Sequence, residues 1–242
     1  MKPIVEIHNV TKQFGGLKAV SDFSGTVDEG TIVGLIGPNG AGKTTLFNMM
    51  AATFPPTSGQ IIYNGLDITH CKTHQMVGVG IARTFQITKP FGDMTVIENI
   101  MVGAFYHTRD RKPARENASR VYNVIGMKCG LDQIAHNLTT VDRKKLEIAR
   151  ALATNPKLLL LDEVMAGCNP LEKLELIAVV RKIRDTGVTI VIIEHDIKTI
   201  MSLCDKIIVL HRGEKLVEGS PQEVANDKRA ISAYLGEDYN NA

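Results

Sequence analysis

The stretch GPNGAGKTT, residues 37 to 45, brings together residue types suited to holding a polyphosphate. It fits G-x-x-x-x-G-K-[ST] through Gly37, Gly42, Lys43 and Thr44. Glycines let backbone amides approach phosphate oxygens closely, and a helix N-terminus just after them adds free N–H groups and a favourable dipole. Asn39, Gly40 and Thr45 complete the loop. Lys43 would meet the β- and γ-phosphates, and the Thr44 hydroxyl would help hold Mg2+. A second group is Asp162-Glu163, at the end of the apolar run LLLL. Asp162 would contact Mg2+ through water, and Glu163 would polarise an attacking water as general base. A third is His195, in VIIEHD, again just after an apolar run. An acidic pair is common in surface turns and a lone histidine is more often structural. Three polar groups at three strand ends, however, belong to one edge of a parallel sheet, where α/β proteins bind ligands. No N-K-x-D string is present to read guanine.

These groups need elements to position them. Residues 4 to 36 alternate short β-like runs, IVEIHNV and TIVGLIG among them, with turn residues around Gly15-Gly16 and Glu29-Gly30. After the phosphate loop a helix is expected over Leu46 to Thr53, closed by Pro55-Pro56. IIYNGLDI, residues 61 to 68, reads as another hairpin strand. From about Ile97 the strand pattern gives way to helical and polar sequence, an inserted helical subdomain over roughly 97–155. Within it RKKLEIARAL predicts a short helix, with Leu146, Ala149, Leu152 and Ala153 on one face. Strand–helix units then return: LLLLDE, a helix over Leu171 to Asp185, VTIVIIEH, a short helix, and KIIVLHRG. That order predicts one α/β domain over residues 1–242, with a mainly parallel sheet and helices packed on it.

The chain has 242 residues, 44% hydrophobic and 22% charged, the composition of an ordinary globular protein. Its net charge, 28 − 26 = +2, and the absence of Trp give no support to nucleic acid as a partner. The first residues lack the apolar core of a signal peptide, and no run reaches the ~18 apolar residues that cross a bilayer. Any link to a membrane is therefore expected to run through a partner. Cys71, Cys129, Cys168 and Cys204 form no CxxC pair and read as reduced cytosolic thiols. HCKTH, residues 70 to 74, spaces two histidines four apart, but no Glu follows the first and no further ligand cluster appears. It reads as polar surface. The sequons at Asn117 and Asn137 carry no weight in a cytosolic chain.

On these motifs the chain resembles the nucleotide-binding subunits of ABC transporters, over essentially its whole length. GPNGAGKTT is similar to that family's P-loop, LLLLDE to its Walker B strand and IIEHD to its switch histidine. The resemblance implies a P-loop NTPase core with an N-terminal antiparallel β subdomain and a helical subdomain. It also implies an ATPase using ATP and Mg2+, with Lys43, Glu163 and His195 as the catalytic set. Phe14, in VTKQFGG, falls where the family stacks an aromatic ring on adenine. Gln86, in IARTFQ, falls at the glutamine that senses Mg2+ and couples to the membrane subunit. Phe91 would either dock a membrane-subunit helix or belong to the core. IARTFQ, MTVIENI, AGCNP and AYLGED look most like the branched-chain amino acid importers. Implied partners are integral membrane subunits, a second ATP-binding subunit and, indirectly, a periplasmic or extracellular solute-binding protein. The implied location is the cytoplasmic face of the cell membrane. Soluble family members in repair or translation commonly carry tandem cassettes or long coiled-coil insertions, and this chain has neither.

The departures are concentrated in one stretch, with two more after LLLLDE. NLTTVDRKKLEIARAL, residues 137 to 152, lies where the family has LSGGQ followed by a basic helix. In this family each ATP lies between one subunit's P-loop and the other's signature. Here Thr139 keeps the signature hydroxyl and remains a candidate nucleotide contact. Thr140 and Val141 replace the glycine pair, and Asp142 replaces Gln. Val164 stands where proline normally follows the Walker B Glu, and Cys168 where Leu is usual. Asp142 in the first turn would stabilise the helix through its dipole by ~0.3–1 kcal/mol, filling an anion site with the chain's own anion. Branched Val141 hinders the close backbone approach that Gly permits. The expectation is a complete catalytic half-site beside a weak phosphate grip, and hence a heterodimer or a non-hydrolysing regulatory subunit.

Overall fold

The computed structural model describes residues 2–84 and 90–235, without the side chains of 234 and 235. The chain divides into two compact units, Met1–Met76 with Thr189–Ala242, and Val77–Val188.

The first unit opens with a long antiparallel hairpin, β1 (Pro3–Phe14) and β2 (Leu17–Asp28), closed by Gly15-Gly16. Strand β3 (Ile32–Ile36) follows, with all five residues buried, as suits a strand covered on both faces. The helix after the phosphate loop, α1 (Lys43–Met50), begins and ends about one turn before the expected span. Gly42, in left-handed backbone with φ 98°, sets its start. Ala52, at φ 50°, turns the chain away before Pro55-Pro56 can act. The run expected as one strand over 61–68 is two, β4 (Ser58–Tyr63) and β5 (Leu66–Asp67). Asn64 and Gly65 between them both have positive φ, the requirement of a two-residue hairpin turn. Within α2 (Thr73–Val79) the chain passes into the second unit.

There a short strand, β6 (Ile81–Arg83), precedes α3 (Val96–Ala104) and α4 (Arg111–Ile125). A 3-10 turn at Ala135–Asn137 leads to α5 (Thr140–Leu152), β7 (Leu158–Asp162) and α6 (Pro170–Asp185). Strands β6 and β7 pair in parallel, Ile81 against Leu158 and Arg83 against Leu160. This unit contains the segment expected to be helical, roughly 97–155, together with β6, β7 and α6. Local chemistry explains its helix starts. Thr95 and Asn169 each form a reciprocal capping box with the Glu three residues on, and Pro170 occupies the first turn of α6.

The chain re-enters the first unit at β8 (Thr189–Ile193), α7 (Ile197–Leu203), β9 (Lys206–His211) and β10 (Glu214–Gly219). It continues with α8 (Pro221–Asn226), α9 (Lys228–Ala230) and a π turn at Ile231–Leu235. In this unit β3 lies between β8 and β9, parallel to both, and β10 adds an antiparallel edge. A second, antiparallel sheet has the order β2-β1-β4-β5. No helix among the described residues is long and apolar enough to cross a membrane.

A polar cluster ties α5 to α6 in the second unit. Lys145 on α5 is 3% exposed and donates to Glu175 Oε2 on α6 at 2.5 Å, while Lys128 reaches Oε1 of the same carboxylate at 3.1 Å. Hydrogen bonds from these two ammonium groups hold the Glu175 carboxyl below its usual range. Its folded pKa is depressed, so its contribution is present above the unfolded pKa and is lost as pH falls through the folded one. Glu175→Gln should destabilise the protein by about 2–4 kcal/mol at neutral pH, since it strips the partner from a buried ammonium. The one-third exposed carboxylate keeps the effect off the top of the range for buried pairs. Urea unfolding at pH 7 and again near pH 3 checks this, and the difference from wild type should shrink at the lower pH.

Candidate functional site

The phosphate loop is built by close packing. A Cβ on Gly37, at φ 148°, would lie 2.1 Å from the Leu210 carbonyl oxygen, and one on Gly42 would lie 2.4 Å from that of Ala19. Only glycine fits at either position, so the motif's first and last glycines are required by the backbone itself. The Gly213 N–H donates to Ala41 O at 3.0 Å and ties the loop to the β9–β10 turn. Lys43, 6% exposed, folds back over the loop, where Nζ donates to the carbonyls of Gly37 at 2.7 Å and Pro38 at 3.0 Å. Its charge is thus held at the head of α1, beside the amides of the first turn. Thr44 is exposed and Thr45 half-buried in that turn, while Asn39 and Gly40 are exposed in the loop. The chemistry of this cradle suits an anion.

Two further sequence candidates sit in the same unit. His195 is exposed, just past the end of β8 and before Asp196, which caps α7. Phe14 ends β1 and is 47% exposed, not a core ring.

In the second unit, Asp162 closes β7 and is 5% exposed. Arg83 Nη2 lies 3.6 Å from its carboxylate. Burial lowers the Arg83 guanidinium from its ordinary value, and Asp162 works against that. The Asp162 N–H donates to Thr84 Oγ1 at 3.2 Å, and the Thr84 N–H to Leu160 O at 2.9 Å. The end of β6 therefore fixes the acidic end of β7. Sequence reasoning missed Arg83 and Thr84. The available signal was a cation and a hydroxyl at the end of a short apolar run. Glu163, the next residue after Asp162, is half-buried with φ 48°. Gln86 lies outside the described residues.

The altered signature forms a well-capped helix start. Thr139 is the N-cap of α5: its Oγ1 accepts from the Asp142 N–H at 3.2 Å and donates to Asp142 Oδ2 at 2.8 Å. The helix begins three residues before the expected RKKLEIARAL, because this hydroxyl–carboxylate pair caps it. The Thr139 hydroxyl and the Asp142 carboxylate satisfy each other. Phe91, whose place in sequence was open between docking surface and core, is 48% exposed, with the Arg150 guanidinium 5.3 Å from its ring centroid.

Comparison with known proteins places the chain in a family. Residues 20–166 match the family described as ABC transporter, and residues 214–240 match the family described as branched-chain amino acid ATP-binding cassette transporter. The chain is 36% identical to the high-affinity branched-chain amino acid transport ATP-binding protein BraF of Pseudomonas aeruginosa, over 98% of this chain and 99% of that one. Its identity to LivG of Escherichia coli, which carries the same description, is also 36% with the same coverage. The lipopolysaccharide export system ATP-binding protein LptB of Escherichia coli is 34% identical over 96% of both chains. Among solved structures, the ADP conformation of MJ1267, an ATP-binding cassette of an ABC transporter, superposes with a TM-score of 0.88 at 29% identity, covering 98% of this chain and all of that one. A nucleotide-free cassette of an ABC transporter gives 0.87 at 29% identity, covering 96% and 99%. Relatives this similar over nearly their full length, with a family match to more than half of the residues, establish that the chain belongs to the ABC transporter ATP-binding family.

Proposed function

We propose that this chain binds and hydrolyses ATP to energise transport of branched-chain or related small amino acids across the cell membrane. It does so from the cytoplasmic face, on integral membrane subunits, with substrate delivered by a solute-binding protein. The observation that carries the ATP part is the cradle at residues 37–45, with Lys43 held by the Gly37 and Pro38 carbonyls at the head of α1. The substrate part rests on the match of residues 214–240 to the branched-chain family, which favours amino acids over the cargo of the equally family-like LptB.

In this reading Gly37, Asn39, Gly40, Gly42, Thr44 and Thr45 surround the phosphates. Lys43 neutralises charge at the β- and γ-oxygens. Phe14 stacks on adenine. Thr44 in one unit and Asp162 in the other each offer a hard oxygen of the kind that suits Mg2+, Gln86 is the further candidate ligand, and the ion when bound would neutralise phosphate charge. Glu163 takes a proton from water, and His195 orients the γ-phosphate.

The dimer partner is a second ATP-binding subunit, and a heterodimer is favoured. The support is the closed pair Thr139–Asp142, which leaves the Thr139 hydroxyl engaged at the place where a partner's nucleotide would meet it. If Thr139 does contact that nucleotide, its hydroxyl must first leave Asp142. The same pair favours a non-hydrolysing regulatory subunit as the second reading.

Uptake of labelled leucine by cells lacking this chain tests the proposal. Wild type should restore uptake and should co-purify with integral membrane proteins, whereas Lys43→Ala should do the second without the first. Calorimetry on the Lys43→Ala chain should show ATP binding weakened about 10- to 100-fold, the loss of charge-assisted hydrogen bonds. Unchanged affinity would discard the ATP site. Ribosome or DNA association in place of membrane subunits would discard transport.

A further inference from the structure

The tip of the β1–β2 hairpin carries more than one aromatic ring. Lys12 and Phe14 are two apart on β1, so their side chains share one face of the strand. Lys12 Nζ lies 5.2 Å from the centroid of the Phe14 ring and 4.8 Å from that of Phe54. The two rings are nearly perpendicular, at 86°, with centroids 5.4 Å apart. The ammonium therefore sits in the corner of an edge-to-face aromatic pair. It is fixed there by donation to the Pro55 carbonyl at 2.6 Å. The segment bearing Phe54 is in turn laced to β1. The Thr57 N–H donates to Thr11 O at 2.8 Å, and the Gln13 N–H donates to Thr57 Oγ1 at 3.0 Å. That segment starts where α1 ends, so one short helix has the phosphate loop at its head and this aromatic corner just past its tail.

We infer that Lys12 and Phe54 are positioning residues for the nucleotide base, holding the half-exposed Phe14 ring with a cation against it so that its open face takes a purine. The inference rests on the ATP-binding reading above and on Phe14 as the stacking residue. A cation near one face of a ring draws π density towards itself and makes the opposite face less negative. An electron-rich purine then stacks on that face with less repulsion. A ring already fixed by its neighbours also loses less rotamer freedom when the base arrives.

Calorimetry on the full chain with two probes, ATP and inorganic tripolyphosphate, tests this. Lys12→Met keeps the apolar stem and removes the charge. It should raise the Kd for ATP about three- to fivefold, the size of an exposed cation–π contact, and leave tripolyphosphate unchanged. Lys12→Arg should restore ATP affinity, and Phe54→Leu should weaken ATP while sparing tripolyphosphate. The chain has no Trp, so Phe14→Trp supplies a single indole, excited selectively over the tyrosines, whose emission ATP should quench, less so when Lys12→Met is added. ATP affinity unchanged by Phe14→Ala would sink the stacking assignment itself. ATP affinity reduced by Phe14→Ala but not by Lys12→Met or Phe54→Leu would overturn only the inference. Equal weakening of ATP and tripolyphosphate by Lys12→Met would make Lys12 a phosphate ligand and also overturn it.

Discussion

Glu163→Gln should leave ATP binding intact and slow hydrolysis at least ~10²-fold in the assembled complex, the usual contribution of a positioned general base. The amide keeps the size of the carboxylate and loses its basicity, so the change falls on proton transfer. The site around it should survive, because the neighbouring Asp162 is fixed independently by Arg83 and by Thr84 at the end of β6. Steady-state ATPase rates, with nucleotide affinity measured alongside, check both halves of the expectation. His195→Ala should also lower turnover, through lost orientation at the γ-phosphate. A Glu163→Gln complex that turns over at the wild-type rate would move the base to another residue.

The second large effect concerns the signature. Val141→Gly with Asp142→Gln should raise ATPase activity strongly in a forced homodimer, by up to ~10²–10³, the scale set by lost preorganised donors. In the proposed heterodimer the same pair should raise it only modestly. The asymmetry follows from counting sites. A homodimer sets two altered signatures against two nucleotides, whereas in a heterodimer this chain's catalytic set meets the partner's regular signature. The hydroxyl of Thr139 is held by Asp142 Oδ2, and Asp142→Gln loosens that hold by replacing a charged acceptor with a neutral one. Robust ATP-driven dimerisation and hydrolysis by the unmodified homodimer would show that an acid is tolerated there.

What was legible in the sequence follows from how local each requirement is. The phosphate loop could be read because a turn packed against Leu210 O and Ala19 O admits only glycine, which fixes residue type and spacing within nine positions. Strands β3, β7 and β8 could be read as apolar runs because each is buried along its whole length. The start of α5 was half legible: Asp142 in the first turn was expected, but Thr139 as the capping partner depends on a rotamer. Contacts between distant segments could not be read. Arg83 meets Asp162 only because β6 and β7 pair in parallel, and Phe54 meets Phe14 only because the chain after α1 folds back along β1. Strand order is decided by the packing of whole elements, and no single stretch encodes it.

The backbone at position 163 has one more consequence. Among the described residues, Asn9, Asp22, Asn64 and Asn155 also adopt left-handed φ, a posture Asn and Asp accept readily, and so do Ala52 and Arg212. Glu163, at φ 48°, has no such chemical excuse, and a Glu there costs about 1–2 kcal/mol relative to a relaxed backbone. Glycine or asparagine would fit the same turn with less strain. If Glu163 is the general base proposed above, heat resistance and turnover pull this position in opposite directions. Selection for endurance alone would carry it towards one of those two residues, at the expense of the carboxylate. An ill-fitting glutamate is what a chain selected for work rather than for durability would keep.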